Sequence, residues 1–159
     1  MIRPIVLAAA ALLVACSPQP SAQATPAAQA NAVHPSSGLK VVPLTVTTAK
    51  GRHAFRVEVA ASEAEQAQGL MFRTEMGADE GMIFPRVPPD VASFWMKNTP
   101  LPLDIIFIGT DRKVINVAAN TVPYSLQPVM ARGLTAAVLE LNAGRAASLG
   151  IGPGTKVDW

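Results

Sequence analysis

Beyond Leu39 the chain is a series of short apolar runs broken by turn residues, and in one of them apolar and polar positions alternate with a period of two. In His53 to Ala60, the side chains of Phe55, Val57 and Val59 fall on one face and Arg56 and Glu58 on the other. That is the signature of a half-buried strand. Val41 to Thr47 reads as the strand before it, with Pro43 placing it at an edge or a bulge, and Lys50-Gly51-Arg52 supplies the turn of a hairpin. Ser62-Glu63-Ala64-Glu65 is a capping box and predicts a short helix to about Gly69, burying Ala64, Ala67 and then Leu70 or Met71. Met82-Ile83-Phe84 predicts a short strand closed by Pro85, Pro88 and Pro89. Ala92 to Met96 and Leu103 to Ile108 are strands on either side of a polar bend marked by prolines. A hairpin turn at Gly109 to Arg112 leads into a strand at Val114 to Ala118. Asn120 to Arg132 reads as a long loop and Leu134 to Leu141 as a strand. Asn142 is placed to cap a helix through Leu149, with Gly150 as its stop, and Thr155 to Trp159 closes the chain as a last strand.

Seven to eight short strands with one or two short helices predict a mainly β, compact single-domain sandwich or barrel. The strands do not alternate with long helices, which excludes a doubly wound parallel sheet.

The first residues belong to targeting. Arg3 and the apolar run Ile5 to Val14 form a signal peptide, ending at Leu13-Val14-Ala15-Cys16. This segment resembles the lipobox of bacterial lipoproteins, whose cysteine is lipidated and becomes the mature N-terminus. The chain therefore divides into a signal peptide over 1–15, a lipidated Cys16 with a Pro/Ala/Gln-rich tether to residue 38, and a folded domain over 39–159. Ser17 follows Cys16 where an inner-membrane retention signal usually has aspartate. By resemblance to lipoproteins of two-membraned bacteria, the expected location is the outer membrane, with the domain facing the periplasm. His34 reads as a solvated tether residue.

Cys16 is the only cysteine, so its acylation leaves no thiol for a disulfide, a nucleophile or a zinc site. Losing Arg3 with the signal leaves twelve basic against eleven acidic side chains. Nothing resembles the clustered basic footprint of a nucleic-acid binder.

Five blocks recur in an order too specific for composition alone: Gly69-Leu70-Met71-Phe72-Arg73, Gly81-Met82-Ile83-Phe84, Phe94-Trp95-Met96-Lys97-Asn98-Thr99, Leu103-Asp104-Ile105-Ile106-Phe107 and Val138-Leu139-Glu140-Leu141-Asn142-Ala143-Gly144. Together they resemble the DUF192 family, also called UPF0127, over about residues 40 to 158. The resemblance implies a compact β-rich domain that is often exported, and it supplies no reaction. Gly109 and Thr155 depart from the pattern, standing where acidic residues are common.

Asp104 and Glu140 each stand in an otherwise apolar strand. A buried carboxylate needs a partner or takes up a proton. The nearest sequence candidates are Lys97 and Asn98 across the bend and Arg73 after the first helix. These residues, rimmed by Trp95, form either a structural ion-pair network or a polar site in which Arg73 or Lys97 holds an anionic or carbonyl group. The leading expectation is a non-catalytic, lipid-anchored module that binds a small polar ligand or an envelope partner and needs no cofactor. A rival is an acid–base enzyme on an envelope carbohydrate or peptide, using Asp104 and Glu140 as its paired carboxylates. A third reading takes Met71, Met82 and Met96 as thioether ligands for Cu(I), against their use as core filling. His53 has no visible partner and reads as a surface residue.

Overall fold

The computed structural model describes residues 32–159. The expected signal peptide, Cys16 and most of the expected tether lie outside the described residues. Within them the chain forms nine strands and two short helices. In order these are β1 (Val41–Thr48), β2 (Gly51–Val59), α1 (Glu63–Gln68), β3 (Glu80–Asp90), β4 (Ser93–Phe94), β5 (Leu103–Gly109), β6 (Val114–Ala118), β7 (Val129–Met130), β8 (Thr135–Asn142), α2 (Arg145–Leu149) and β9 (Lys156–Asp158).

Seven strands make one sheet in the order β6-β5-β8-β3-β2-β1-β9, and β4 pairs with β7 in a separate ribbon. Only β2 and β3 run parallel, because α1 and its loop carry the chain across between them. The sheet curls until its edges meet. Val114 N–H donates to the Thr155 carbonyl at 2.9 Å, Val157 N–H donates to the Arg112 carbonyl at 2.9 Å, and Lys113 bridges Lys156. Closing a sheet in this way removes the exposed edges that invite aggregation. The compact, mainly β fold expected from the strand pattern as a sandwich or barrel is therefore formed, as a curled sheet that closes on itself.

Alternation along each strand gives two cores. Ile106 and Ile108 of β5, Leu139 and Leu141 of β8, and Leu44, Phe55 and Val157 from the other side of the curl fill the interior. Leu103, Ile105 and Phe107, the other face of β5, pack outward with Val138, Met82 and Phe84 against a second layer holding Leu70, Phe94 and Met96. Strand β5 is consequently buried along its whole length.

Several local expectations change. The prolines do not close β3, which continues through Pro85 to Asp90 because a register break after Pro85 relieves the ladder of donors that proline lacks. Ala92 to Met96 supplies only two strand residues, and these belong to the small ribbon. The capping box is present, with the Glu65 N–H donating to Ser62 Oγ and the Ser62 N–H donating to Glu65 Oε2 at 2.7 Å. No residue of α1 is buried, however; Ala64 and Ala67 face solvent, and Leu70 just beyond the helix makes the core contact. Asn142 does not cap α2, whose N-cap is Gly144; its amide instead donates to the Met76 carbonyl at 2.9 Å and the Gly77 carbonyl at 3.1 Å. Chain before Leu39 is already folded back, with Val33 bridging Lys40 and the Val41 N–H donating to the Ala32 carbonyl at 2.7 Å.

Candidate functional site

Three loops meet on the outer side of β8. They are the residues following α1, the bend Trp95 to Thr99, and the segment Asn120 to Ser125. Backbone bonds knit them together: Phe72 N–H to the Asn98 carbonyl at 2.7 Å, Tyr124 N–H to the Thr99 carbonyl at 3.2 Å, and Met96 N–H to the Ser125 carbonyl at 2.9 Å. Side chains add to the lacing. The Asn98 amide reaches the Met71 sulfur at 3.8 Å, and the Thr121 hydroxyl lies 3.1 Å from the Met96 sulfur and 2.9 Å from the Leu103 carbonyl.

The backbone here is strained. Phe72, Asn98, Asn120 and Tyr124 all have positive φ, at 64°, 54°, 50° and 61°. Asparagine tolerates this region through local hydrogen bonds, whereas bulky aromatic residues are rarely found in it. Phe72 is 69% exposed, Tyr124 62% and Trp95 49%, so the strained loops present three aromatic rings to solvent. Strain of about 1–3 kcal/mol per residue persists only where surrounding structure enforces it, and it concentrates at ligand sites.

Beneath Trp95 a cleft of about 40 Å³ opens between the end of α1 and β8, bounded by Leu70, Phe84, Phe94, Trp95, Lys97 and Glu140. Its volume admits one small functional group or a few waters. Phe84 and Phe94 meet edge to face at 5.0 Å and form its apolar wall. Gly69 turns the chain out of α1 at φ 47°, and a side chain there would press on the Phe84 ring at 3.4 Å.

Glu140 reaches this cleft because β8 places it on the same face as Val138, opposite Leu139 and Leu141. It pairs with Met82 of β3 and Ile105 of β5, both fully buried. The residue is 4% exposed, and its carboxyl oxygens meet no hydrogen-bond or ion-pair partner among the described residues. The oxygens are nevertheless not sealed, since no wholly buried side-chain oxygen lacks a partner. Their opening is the cleft. Burial without a partner pushes the Glu140 carboxyl up to about 8, so it is mostly protonated at neutral pH.

Asp104 belongs elsewhere. It is fully buried, on the opposite face of β5, and accepts the Asn120 N–H at 2.9 Å and the Ala146 N–H at 2.7 Å. One carboxylate thus fixes both the first turn of α2 and the start of the loop carrying Tyr124. The paired-carboxylate reading is corrected on this geometry: Asp104 pairs with Leu141, next to Glu140 along β8, and successive strand residues point to opposite faces. Asp104 and Glu140 share no cleft.

Arg73 also lies apart from Glu140. Its Nη2 is 2.7 Å from Glu58 Oε2, and Glu58 further accepts the Ser37 hydroxyl and faces His34 Nδ1 at 3.7 Å. Alternation in β2 predicts a solvent-facing Glu58, yet it is 4% exposed because the turn around residues 34–38 folds over it. Alternation in β2 gave no sign of that cover. Lys97 is exposed and stacks over the Trp95 ring at 5.2 Å, making no ion pair with Asp104 or Glu140. The expected cluster of Arg73, Trp95, Lys97, Asn98, Asp104 and Glu140 therefore separates. Trp95, Lys97 and Glu140 bound the cleft, Asn98 braces it, Asp104 holds a supporting loop, and Arg73 locks the N-terminal turn. Phe72 and Tyr124 were missed, because exposure and positive φ leave no mark in hydrophobic periodicity.

Met82 and Met96 fill the second core, and Met71 lines the cleft with its sulfur against Asn98. Each methionine has a packing role that needs no metal. His53 has a partner after all, the Thr48 hydroxyl at 3.0 Å.

Comparison with known proteins bears on the whole domain. The profile of DUF192, described as uncharacterized ACR, matches residues 45–159. A crystal structure of a protein of unknown function from Novosphingobium aromaticivorans is similar at 62% identity and TM-score 0.80, covering 86% of this chain and 99% of that one. A candidate transcription regulator from Sinorhizobium meliloti is similar at 38% identity and TM-score 0.73, covering 76% of this chain and 94% of that one. No curated protein matches the sequence.

Proposed function

For a chain that belongs to the DUF192 family, we infer a non-catalytic binding module that holds a small polar group in the cleft beneath Trp95. The observation that carries this reading is Glu140, nearly fully buried, without a partner among the described residues, and lining that cleft. An uncompensated buried carboxyl costs stability, and a ligand that hydrogen-bonds it recovers that loss. A half-exposed tryptophan at the cleft, and exposed Phe72 and Tyr124 on the strained loops bonded to the Trp95 bend, match the composition of recognition surfaces. The separation of Asp104 from Glu140 favours binding over acid–base catalysis by a carboxylate pair.

The module is exported in this reading and anchored through acylated Cys16 to the outer membrane, with the aromatic face turned to the periplasm. Support comes from Leu13-Val14-Ala15-Cys16 and the tether that follows it. Several acyl chains at about 0.8 kcal/mol per buried CH₂ make such an anchor stable. Its partner is a small polar ligand or a polar group displayed on an envelope component.

A thermal-shift screen of sugars, peptides, nucleotides and metal ions tests the binding reading. A ligand of the cleft raises the melting temperature of the wild type, by about 2.7 kcal/mol of stability at a hundredfold excess over Kd. It loses that effect in folded Trp95→Ala and Glu140→Gln variants. A ligand that stabilises all three proteins equally binds elsewhere, and the cleft then has no claim to it.

A further inference from the structure

Resting on the reading of the Trp95 cleft as a binding site, we propose that the group it takes is an organic cation, specifically a primary ammonium, held by the Glu140 carboxylate beneath the Trp95 ring. Three features of the cleft converge on that chemistry. Its only acidic side chain is Glu140, which lacks any counter-charge among the described residues. Its volume of about 40 Å³ suits an ammonium head rather than a whole sugar or nucleobase. Its entrance is aromatic, and the face of an indole attracts cations. The protein itself demonstrates that attraction, since Lys97 Nζ lies over the Trp95 ring at 5.2 Å.

Lys97 is the other charged residue on the cleft, and it remains outside on the indole instead of pairing with Glu140. From the strands packed against Glu140, the facing residues are Met82 and Ile105, neither of which titrates. From the loop after α1 come Leu70 and Met71, and from the helix itself the amides of Gln66 and Gln68, which are also uncharged. A cation entering the cleft is thus the first positive charge that Glu140 meets at close range. Its binding draws the carboxyl into the ionised form, so a proton leaves as the cation arrives. An alkylammonium stays charged to about pH 10. Affinity for it should therefore rise by about tenfold per pH unit from pH 6 towards the Glu140 midpoint and level off above it.

The shared chemistry has two sources, a free small amine and a lysine side chain of a polypeptide. Isothermal titration calorimetry of the purified protein, at pH 6, 7 and 9, separates them with n-butylammonium and Nα-acetyl-lysine methylamide, using n-butanol and acetamide as neutral controls. The proposal expects the ammonium probes to bind with the rising pH profile, Glu140→Gln to abolish that profile, and Lys97→Met to tighten binding by removing a like charge. Tighter binding of n-butylammonium than of the lysine derivative assigns the site to free amines, and tighter binding of the lysine derivative assigns it to a polypeptide. If acetamide or butanol binds better, or affinity falls as pH rises, the cation assignment is overturned while the polar-ligand cleft stands. If no probe binds and the screen above also finds nothing, both fall. The wild-type pH profile needs no variant, so misfolding of Glu140→Gln would not rescue the idea.

Discussion

A glutamate in the middle of β8 has β3 on one side, β5 on the other and an aromatic wall above. Its environment opposes ionisation and offers no hydrogen bond in return. The consequence for stability has a definite sign. Glu140 titrates at about 8 in the fold and near its ordinary value of 4.5 when unfolded, so between those values the native state holds the extra proton. Its favourable contribution is fully present below pH 4.5 and is lost as pH rises towards 8, at up to about 1.4 kcal/mol per pH unit. Urea unfolding of wild type against Glu140→Gln should show this slope in the wild type only. Equal slopes would mean that another group carries the pH dependence. Asp104 has the hydrogen bonds that Glu140 lacks, since its two oxygens accept two backbone N–H groups. Asp104→Asn removes a charged acceptor from both and should cost about 2–3 kcal/mol, measured by the same unfolding curves. The two acids look alike in sequence, each a lone carboxylate among β-branched and leucine neighbours. What separates them is which loops lie opposite, and residue spacing does not encode that.

Strand β3 shows how an element positions the site. Gly81 faces β8 so closely that a Cβ would come within 2.5 Å of the Glu140 carbonyl oxygen and 2.8 Å of Leu141 Cδ2. Only glycine lets β3 pair with β8 beside Glu140 at this distance, so Gly81→Ala should destabilise the domain by about 1–3 kcal/mol. A thermal melt checks this, and an unchanged melting temperature would show that the two strands can separate freely. Helix α1 is held as a lid rather than by burial. Gln66 Nε2 donates to the Pro85 carbonyl at 3.0 Å, and its Oε1 accepts from Arg86 at 2.7 Å. Arg86 in turn pairs with Asp90, whose carboxyl its hydrogen bond holds below the usual range. The capping box made α1 legible in sequence, period-two alternation did the same for β2, and short apolar runs bounded by turn residues did so for β1, β5, β6 and β8. The lid contacts, the two-residue ribbon and the continuation of β3 through Pro85 depend on tertiary pairing, to which local propensity is blind.

In the proposed reading, the curled sheet separates structural from binding duties across the molecule. Its interior and its seam, where Thr155 lies, are apolar packing and backbone pairing. The side covered by α1 and the loops carries the cleft and the exposed aromatic residues. At the N-terminal end, Arg73, Glu58, Ser37 and His34 fasten the turn around residues 34–38 to the domain. Arg73→Met leaves Glu58 buried and alone and should cost about 3–5 kcal/mol without altering affinity at the Trp95 cleft. Lipid anchoring is tested by labelling growing cells with radioactive palmitate. The chain should take up label and fractionate with outer membranes, and Cys16→Ser should abolish both. The most direct test of the cleft is a carbon-13 NMR titration of the Glu140 side-chain carboxyl in the free protein. A midpoint near 8 is the result that an uncompensated, cleft-facing carboxyl requires. A midpoint near 4.5, the ordinary value, would mean that Glu140 is already paired or solvated, and the site would lose its basis.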